Sequence, residues 1–419
     1  MNFKESLKKR IKQNLNRKFI RRILFVASKK PVLFFFTRTF KSASDKYLNI
    51  SSIKSLQKAY SEKNWIAYGS LFLPYELFYS LGLTPFLPEV LAGFTAGMGI
   101  ADKTLSTATK HWYSQDLCTF HRSASGAVEM DLFPKPKFII CTNLACDAAQ
   151  KSFYIYAKKY GLEKNFYLID VPYDYNEKSL AYLSAQLKEI SKDIARKTGR
   201  QLNPDKFKKI INNSNQFRGW AIKVNGIRRT LIDYPQNFNG LNFILPFHGL
   251  AGTRDAILLY KNMHRELKAY THKQKSNHKK KILWLHLKPY YRNDIFELME
   301  NGNCKVVFEE INYVYWPKLD PDNPFQSLAK KMLSHYLRGP IDNRVKTILE
   351  MVEDYKIDGA VIFSHWGCRQ NNAGARIIKD SLTGIGVPTL ILDGDCVDKN
   401  NYSKGQLSTR IQGFIEMLG

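Results

Sequence analysis

Apolar residues in this chain gather in short unbroken runs, separated by stretches in which they recur every three or four positions. The runs lie at residues 65–72, 138–141, 166–171, 282–287, 306–308, 360–363 and 389–392. They do not alternate with polar residues, which predicts strands covered on both faces. The clearest intervening stretch sets Leu180, Leu183, Leu187, Ile190 and Ile194 on one helical face, with Gly199 placed to stop the helix. Strands of this kind alternating with helices predict parallel α/β sheets. The polar segment at 271–281 (THKQKSNHKKK) interrupts the pattern and reads as a linker or long loop between two α/β domains. The expected organisation is a basic helical N-terminal extension at 1–61, a first α/β domain at 62–270 and a second at 271–419. No internal repeat stands out in the sequence.

Charge changes this picture at the N-terminus. Lys4, Lys8, Lys9, Arg10, Lys12, Arg17, Lys18, Arg21 and Arg22 are interrupted only by Glu5. Leu7, Ile11, Leu15, Phe19 and Ile20 recur near helical spacing, so a basic amphipathic helix is expected. Two uses are open for residues 1–60: contact with an anionic membrane or nucleic acid, or packing as a solvated helix on the body of the protein. The whole chain carries 64 Lys and Arg against 37 Asp and Glu, a net charge of +27, which favours anionic partners. Hydrophobic residues make up 44% of its 419 residues, which excludes extended disorder and collagen. No apolar run approaches the ~20 residues that span a bilayer. Six cysteines are too sparse for a disulfide scaffold, and no secretory signal is evident. A cytoplasmic protein with reduced thiols is expected.

Several chemistries find no motif here. The sequence has no G-x-x-x-x-G-K-[ST] loop, no G-x-G-x-x-G after a strand, no G-x-S-x-G, no H-E-x-x-H and no C-x-x-C. His286 falls inside an apolar run and reads as a core residue. The cysteines are more informative, because ligands of open parallel sheets gather beyond the carboxyl ends of strands. Cys146, Cys368 and Cys396 each follow an expected strand, and Cys118 precedes one by a helix length. Cys141 falls within a strand and Cys304 at the opposite strand end. Thiolates meeting at one cleft select zinc or iron–sulfur; unrelated buried thiols are the alternative.

Four stretches carry a resemblance: LPYELFYSLGLTP at 73–85, SQDLCTFHRSASG at 114–126, FPKPKFIICTNLACD at 133–147 and FYLIDVPYD at 166–174. With DGAVIFSHWGCR at 358–369 and the closing segment at 386–418, they resemble the 2-hydroxyacyl-CoA dehydratase and benzoyl-CoA reductase family. The match covers about residues 62–419. The resemblance implies two α/β domains with an iron–sulfur cluster in the cleft between them, a [4Fe-4S] cluster held by Cys118, Cys146 and Cys368. It implies electrons from a separate ATP-dependent activator protein with its own cluster, an acyl-CoA substrate, and assembly as a homodimer or as a heterodimer with a related subunit. The implied reaction is radical elimination of water from a 2-hydroxyacyl-CoA. One electron converts the thioester to a ketyl, hydroxide leaves C2, and the C3 proton becomes acidic.

Further candidates follow from those motifs. Glu76 is a candidate general acid or base, or else a helix N-terminal carboxylate. Ser364 and His365, beside Cys368, are candidates for hydrogen bonds to cluster or substrate, and Arg122 for the same near Cys118. Two features depart from the family pattern: the basic N-terminal 60 residues and Cys396, a fourth candidate metal ligand. Six thiols also leave open the related double-cubane cluster branch, a reductase of small unsaturated substrates. A third reading, of another class, is a non-catalytic basic protein that binds membrane or nucleic acid on this scaffold.

Overall fold

The structure, a computed structural model, describes residues 16–27, 42–61, 63–273 and 279–419. Its first half runs α1 (Arg17–Ala27), α2 (Ala43–Ala59), β1 (Ile66–Gly69), α3 (Tyr75–Ser80), β2 (Thr84–Phe86), α4 (Pro88–Gly97) and α5 (Ala101–Lys110). It continues with α6 (Thr119–Glu129), β3 (Phe138–Thr142), α7 (Asp147–Tyr160), β4 (Phe166–Ile169), α8 (Glu177–Thr198), α9 (Pro204–Arg228) and α10 (Arg254–Lys268). The second half runs β5 (Lys280–Leu285), α11 (Ile295–Asn301), β6 (Cys304–Glu309), α12 (Pro324–Leu333) and α13 (Ile341–Tyr355). It ends with β7 (Gly359–His365), α14 (Arg369–Asn372), α15 (Ala375–Gly384), β8 (Thr389–Gly394) and α16 (Lys404–Leu418).

The strands form two four-stranded sheets, ordered β2-β1-β3-β4 and β6-β5-β7-β8, and every strand pair is parallel. All residues of β1, β3, β6 and β7 are buried, as unalternating apolar runs require, whereas the edge strands β4 and β8 are partly exposed. The two sheets share one strand order, second-first-third-fourth, although the sequence shows no repeat. A fold can repeat its topology without repeating its side chains, because buried apolar residues of similar volume are interchangeable. In each sheet the order reverses between the first and third strands, and crevices at such points face outward from the strand carboxyl ends.

The expected helix over 180–194 is α8, which starts at Asn176 with its side chain accepting Ser179 N–H and ends at Gly199 with φ +65°. Two strands differ from expectation, β4 ending at Ile169 and β2 not being expected at all, and two further expectations need correction. The strand expected at 65–72 ends at Gly69. Strand β2, with Pro85 at its centre, lies at the sheet edge, where a residue without an N–H is tolerated. His286 is not inside a strand: β5 stops at Leu285, and His286 turns the chain at φ +74°.

Of the basic helix expected at the N-terminus, residues 1–15 lie outside the described residues; Arg17–Ala27 is helical. Helix α2 packs on the first body. Ala43 and Ser44 donate to Glu266 of α10, Tyr47 O–H donates to Asp255 at 2.7 Å, and Tyr60 O–H donates to Leu132 C=O at 2.8 Å. Among the described residues no helix is long and apolar enough to cross a membrane. One apolar core runs between the sheets and joins Tyr68, Phe120 and Ile139 to Trp284, Phe363 and Cys396.

Candidate functional site

Both reversal points open on a single cavity of about 390 Å³. Its walls come from the turns after β1 (Ser70–Phe72 side), β3 (Thr142 to Cys146), β5 (His286 and Leu287) and β7 (His365 to Cys368). Three cysteines line it: Cys118, Cys146 and Cys368. Each occupies the residue before a helix, α6, α7 and α14 respectively. The turns that aim two of them use left-handed backbone one residue earlier, at Ala145 (φ +63°) and Gly367 (φ +76°). Gly367 also lies against the other loop: a Cβ there would sit 2.6 Å from Cys118 N. No side chain larger than hydrogen fits that approach.

Burial is the main force on the thiols and pushes all three up. Cys118 is raised further by the negative charge that Cys368 and Cys146 carry when ionised, so the three groups feel one another electrostatically. Backbone N–H groups oppose this: Phe120 and His121 for Cys118, Ala149 for Cys146, and Asn371 for Cys368. Such N–H groups at helix starts favour a thiolate.

Three histidines stand against the three sulfurs. His365 Nε2 lies 3.3 Å from Cys118 Sγ, His121 Nε2 lies 3.3 Å from Cys146 Sγ, and His286 Nε2 lies 3.5 Å from Cys368 Sγ. The rings of His286 and His365 stack at 6.2 Å. Burial pushes His121 and His365 down to about 4, so both rings are neutral at physiological pH. Cys396 donates its backbone N–H to His365 Nδ1 at 3.2 Å, which leaves the single ring proton on Nε2, facing Cys118.

Carboxyl and guanidinium groups, among them Glu89 and Arg344, complete the polar lining. Burial pushes Glu89 up to about 7, against the Leu71 N–H that it accepts at 2.8 Å. Glu89 Oε1 also lies 3.5 Å from His121 Nε2. Arg344 makes a forked pair with Glu310, at 2.6 and 2.8 Å, and its Nη1 is buried without a partner. The lining also includes apolar residues, among them Phe94, Leu241, Ile244, Leu287 and Ile311. Sequence reasoning missed Glu89, Arg344, His121 and His286 as site residues. For Glu89 the available signal was Pro88-Glu89 opening a helix just beyond a strand, where a carboxylate faces a sheet edge.

Other sequence candidates sit elsewhere. Glu76 does not line the cavity: it is fully buried and accepts from Lys331 Nζ at 2.7 Å and Ser214 Oγ at 2.6 Å. Ser364 is a buried residue of β7 outside the cavity lining, while its neighbour His365 lies within it. Arg122 bonds Gln115 C=O at 2.6 Å and Asp398 at 3.3 Å, behind the wall. Cys396 is buried outside the cavity lining; its backbone N–H bonds His365, and its thiol is pushed up by burial, by Asp395 and by the charge of Cys118 and Cys368 when ionised. Cys141 lies within β3, and Cys304 opens β6 at the far edge. Among the described residues no group of three or more His, Cys, Asp or Glu is close enough to hold a single metal ion. Cys118, Cys146 and Cys368 are soft donors of the kind that hold zinc or iron–sulfur.

A family profile described as 2-hydroxyglutaryl-CoA dehydratase, D-component, matches residues 70–418. The chain is 24% identical to the (R)-phenyllactyl-CoA dehydratase alpha subunit of Clostridium sporogenes, over 82% of this chain and 87% of that protein. It is 25% identical to the (R)-2-hydroxyglutaryl-CoA dehydratase subunit alpha of Acidaminococcus fermentans, over 68% of this chain and 61% of that one. It is 22% identical to the lactoyl-CoA dehydratase subunit alpha of Anaerotignum propionicum, over 89% and 95%.

Proposed function

Since the chain belongs to the 2-hydroxyacyl-CoA dehydratase and benzoyl-CoA reductase family, we propose that it is the iron–sulfur component of an ATP-activated 2-hydroxyacyl-CoA dehydratase. The observation that carries this reading is the opening of Cys118, Cys146 and Cys368 on one cavity at the reversal points of both sheets. Those three thiolates would hold a [4Fe-4S] cluster, with Cys396 left out because its thiol does not line the cavity. When bound, such a cluster supplies low-potential electron transfer and a Lewis-acidic iron.

The chain's own residues supply the rest. The apolar part of the lining holds an acyl chain and keeps water away from the reacting carbons. Arg344 lines the cavity and adds a positive charge to its wall, suited to steady negative charge on the thioester oxygen. Glu89 stands near neutrality between its acid and base forms, suited to take the proton from C3 of the acyl group. No nucleotide loop occurs in the sequence, so ATP hydrolysis is assigned to a separate activator protein. The matched dehydratase relatives are alpha subunits, which supports work alongside a related second subunit.

Anaerobic reconstitution with iron and sulfide analysis and EPR tests the reading. About four irons per chain are expected, lost in Cys118→Ser, Cys146→Ser and Cys368→Ser and retained in Cys396→Ser. With an activator, the loaded protein should dehydrate a 2-hydroxyacyl-CoA. About eight irons, halved by Cys396→Ser, would move the reading to the double-cubane reductase branch. No iron at all would leave a non-catalytic binding protein.

A further inference from the structure

We propose that His121, His286 and His365 are positioning residues of the cluster site, each directing an Nε2–H at the sulfur of one cluster cysteine so that the trio sets how readily the cluster accepts an electron. The inference rests on the iron–sulfur reading above and adds to it the part played by the histidines.

The pairing is one histidine per sulfur, at 3.3, 3.3 and 3.5 Å, within the range of N–H···S contacts. It is not a local accident of sequence. His121 lies on the helix that Cys118 begins, yet it reaches Cys146. His365 lies three residues before Cys368, yet it reaches Cys118. His286 comes from the turn after β5 and reaches Cys368. Each histidine therefore ties its own element to another loop's cysteine. For His365 the direction of the bond is fixed by geometry, because Nδ1 accepts the Cys396 N–H and the ring N–H therefore sits at Nε2. The Nδ1 atom of His121 has no hydrogen-bond partner, and its ring meets Cys146 Sγ and Glu89 Oε1 at Nε2, while the His286 ring meets Cys368 Sγ at Nε2 and also interacts with the Phe363 backbone.

A donor aimed at a cluster sulfur stabilises negative charge, and does so more after an electron has arrived. Hydrogen bonds to the sulfurs are among the factors that set cluster potentials. Removing one such donor makes reduction harder and moves the midpoint potential to more negative values. Three donors on one cavity act together in the same direction.

The test uses the full chain, reconstituted anaerobically. With ¹⁵N-histidine incorporated, pulsed EPR of the reduced cluster is expected to show weak nitrogen couplings passed through hydrogen bonds. Strong couplings would mean that a histidine is itself a ligand, and absent couplings that none touches the cluster; either result overturns the proposal. In parallel, His121→Phe, His286→Phe and His365→Phe should keep their iron and titrate at more negative potential. Gln at the same positions, which retains an N–H, should recover part of the shift. Potentials unchanged in all three Phe variants would also overturn it. Where a Phe variant fails to fold or to take up iron, the Gln variant and the labelled unsubstituted chain carry the decision. An unsubstituted chain that takes up no iron overturns the iron–sulfur reading, and this inference with it. An iron-loaded chain without couplings or shifts overturns this inference alone.

Discussion

At Glu89, burial works against ionisation and moves the carboxyl from 4.5 to about 7. Between those values the folded protein holds a proton that the unfolded chain has released. Stability therefore falls as pH rises through that window and levels off above it. The loss is on the order of 3 kcal/mol. His121 and His365, pushed down by burial, act oppositely: their folded forms lose stability as pH falls from 6.5 towards 4. Glu89→Gln removes only the carboxyl's share. Urea unfolding at pH 5 and pH 8 should show the variant gaining at pH 8 relative to the wild type, with little difference at pH 5. A second buried carboxylate behaves differently. Glu76 holds Lys331 and Ser214, tying α3 to α12 and α9. Lys331→Met leaves that carboxylate unpaired and should cost about 3–5 kcal/mol, most of it recovered in Glu76→Gln/Lys331→Met. Equilibrium denaturation measures this, and iron uptake of the double variant should match the wild type.

Among the elements, the α5–α6 contact is the tightest constraint on the site. Gly126 of α6 lies against the backbone of α5: a Cβ there would sit 1.7 Å from Thr104 C=O. Gly126→Ala must push the helices apart, and α6 carries Cys118 at its start and His121 in its first turn. The variant should be strongly destabilised, by roughly 3 kcal/mol or more, with reduced iron uptake. Gly219, within α9, has open space where a methyl group would point, with nothing within 4 Å, so Gly219→Ala should instead stabilise by about 0.5–1 kcal/mol. Thermal unfolding of the two variants side by side separates a packing effect from a general effect of losing glycine. At this scale the strands and α8 were legible, because buried runs and a 3.6-residue period are local signals. Strand β2 was not, since three residues with a central proline carry no such signal.

For the molecule as a whole, the site depends on the fit between two bodies. Asp395, beyond β8, accepts Thr119 Oγ1 at 2.6 Å and the N–H groups of Val397 and Asp398 at 2.7 and 2.9 Å. It thereby fixes the start of α6, next to Cys118, to the far sheet. Lys399 pairs with Asp102 at 2.6 Å across the same seam, but on the exposed surface, where an ion pair contributes little. Asp395→Ala strands three buried donors and should cost roughly 3 kcal/mol or more. Iron retained after desalting should fall in this variant and stay unchanged in Lys399→Ala.

Sequence alone determined the parallel α/β class and the family, because both rest on local pattern and on motifs of fixed order. It also marked Cys118, Cys146 and Cys368, two of them by the rule that strand carboxyl ends gather ligands. It could not determine which polar residues share the cavity with them. Glu76 and Glu89 stand 13 residues apart, each near the start of a helix, and nothing local says which faces the cavity. His286 looked like core because its neighbours are apolar, until one left-handed turn at the end of β5 aimed it at Cys368. The pairing of each histidine with another loop's sulfur joins residues up to 247 positions apart. Tertiary structure alone decides such pairs, because they arise where the fold brings separate turns together, in one case from opposite sheets, and not from the sequence around either partner.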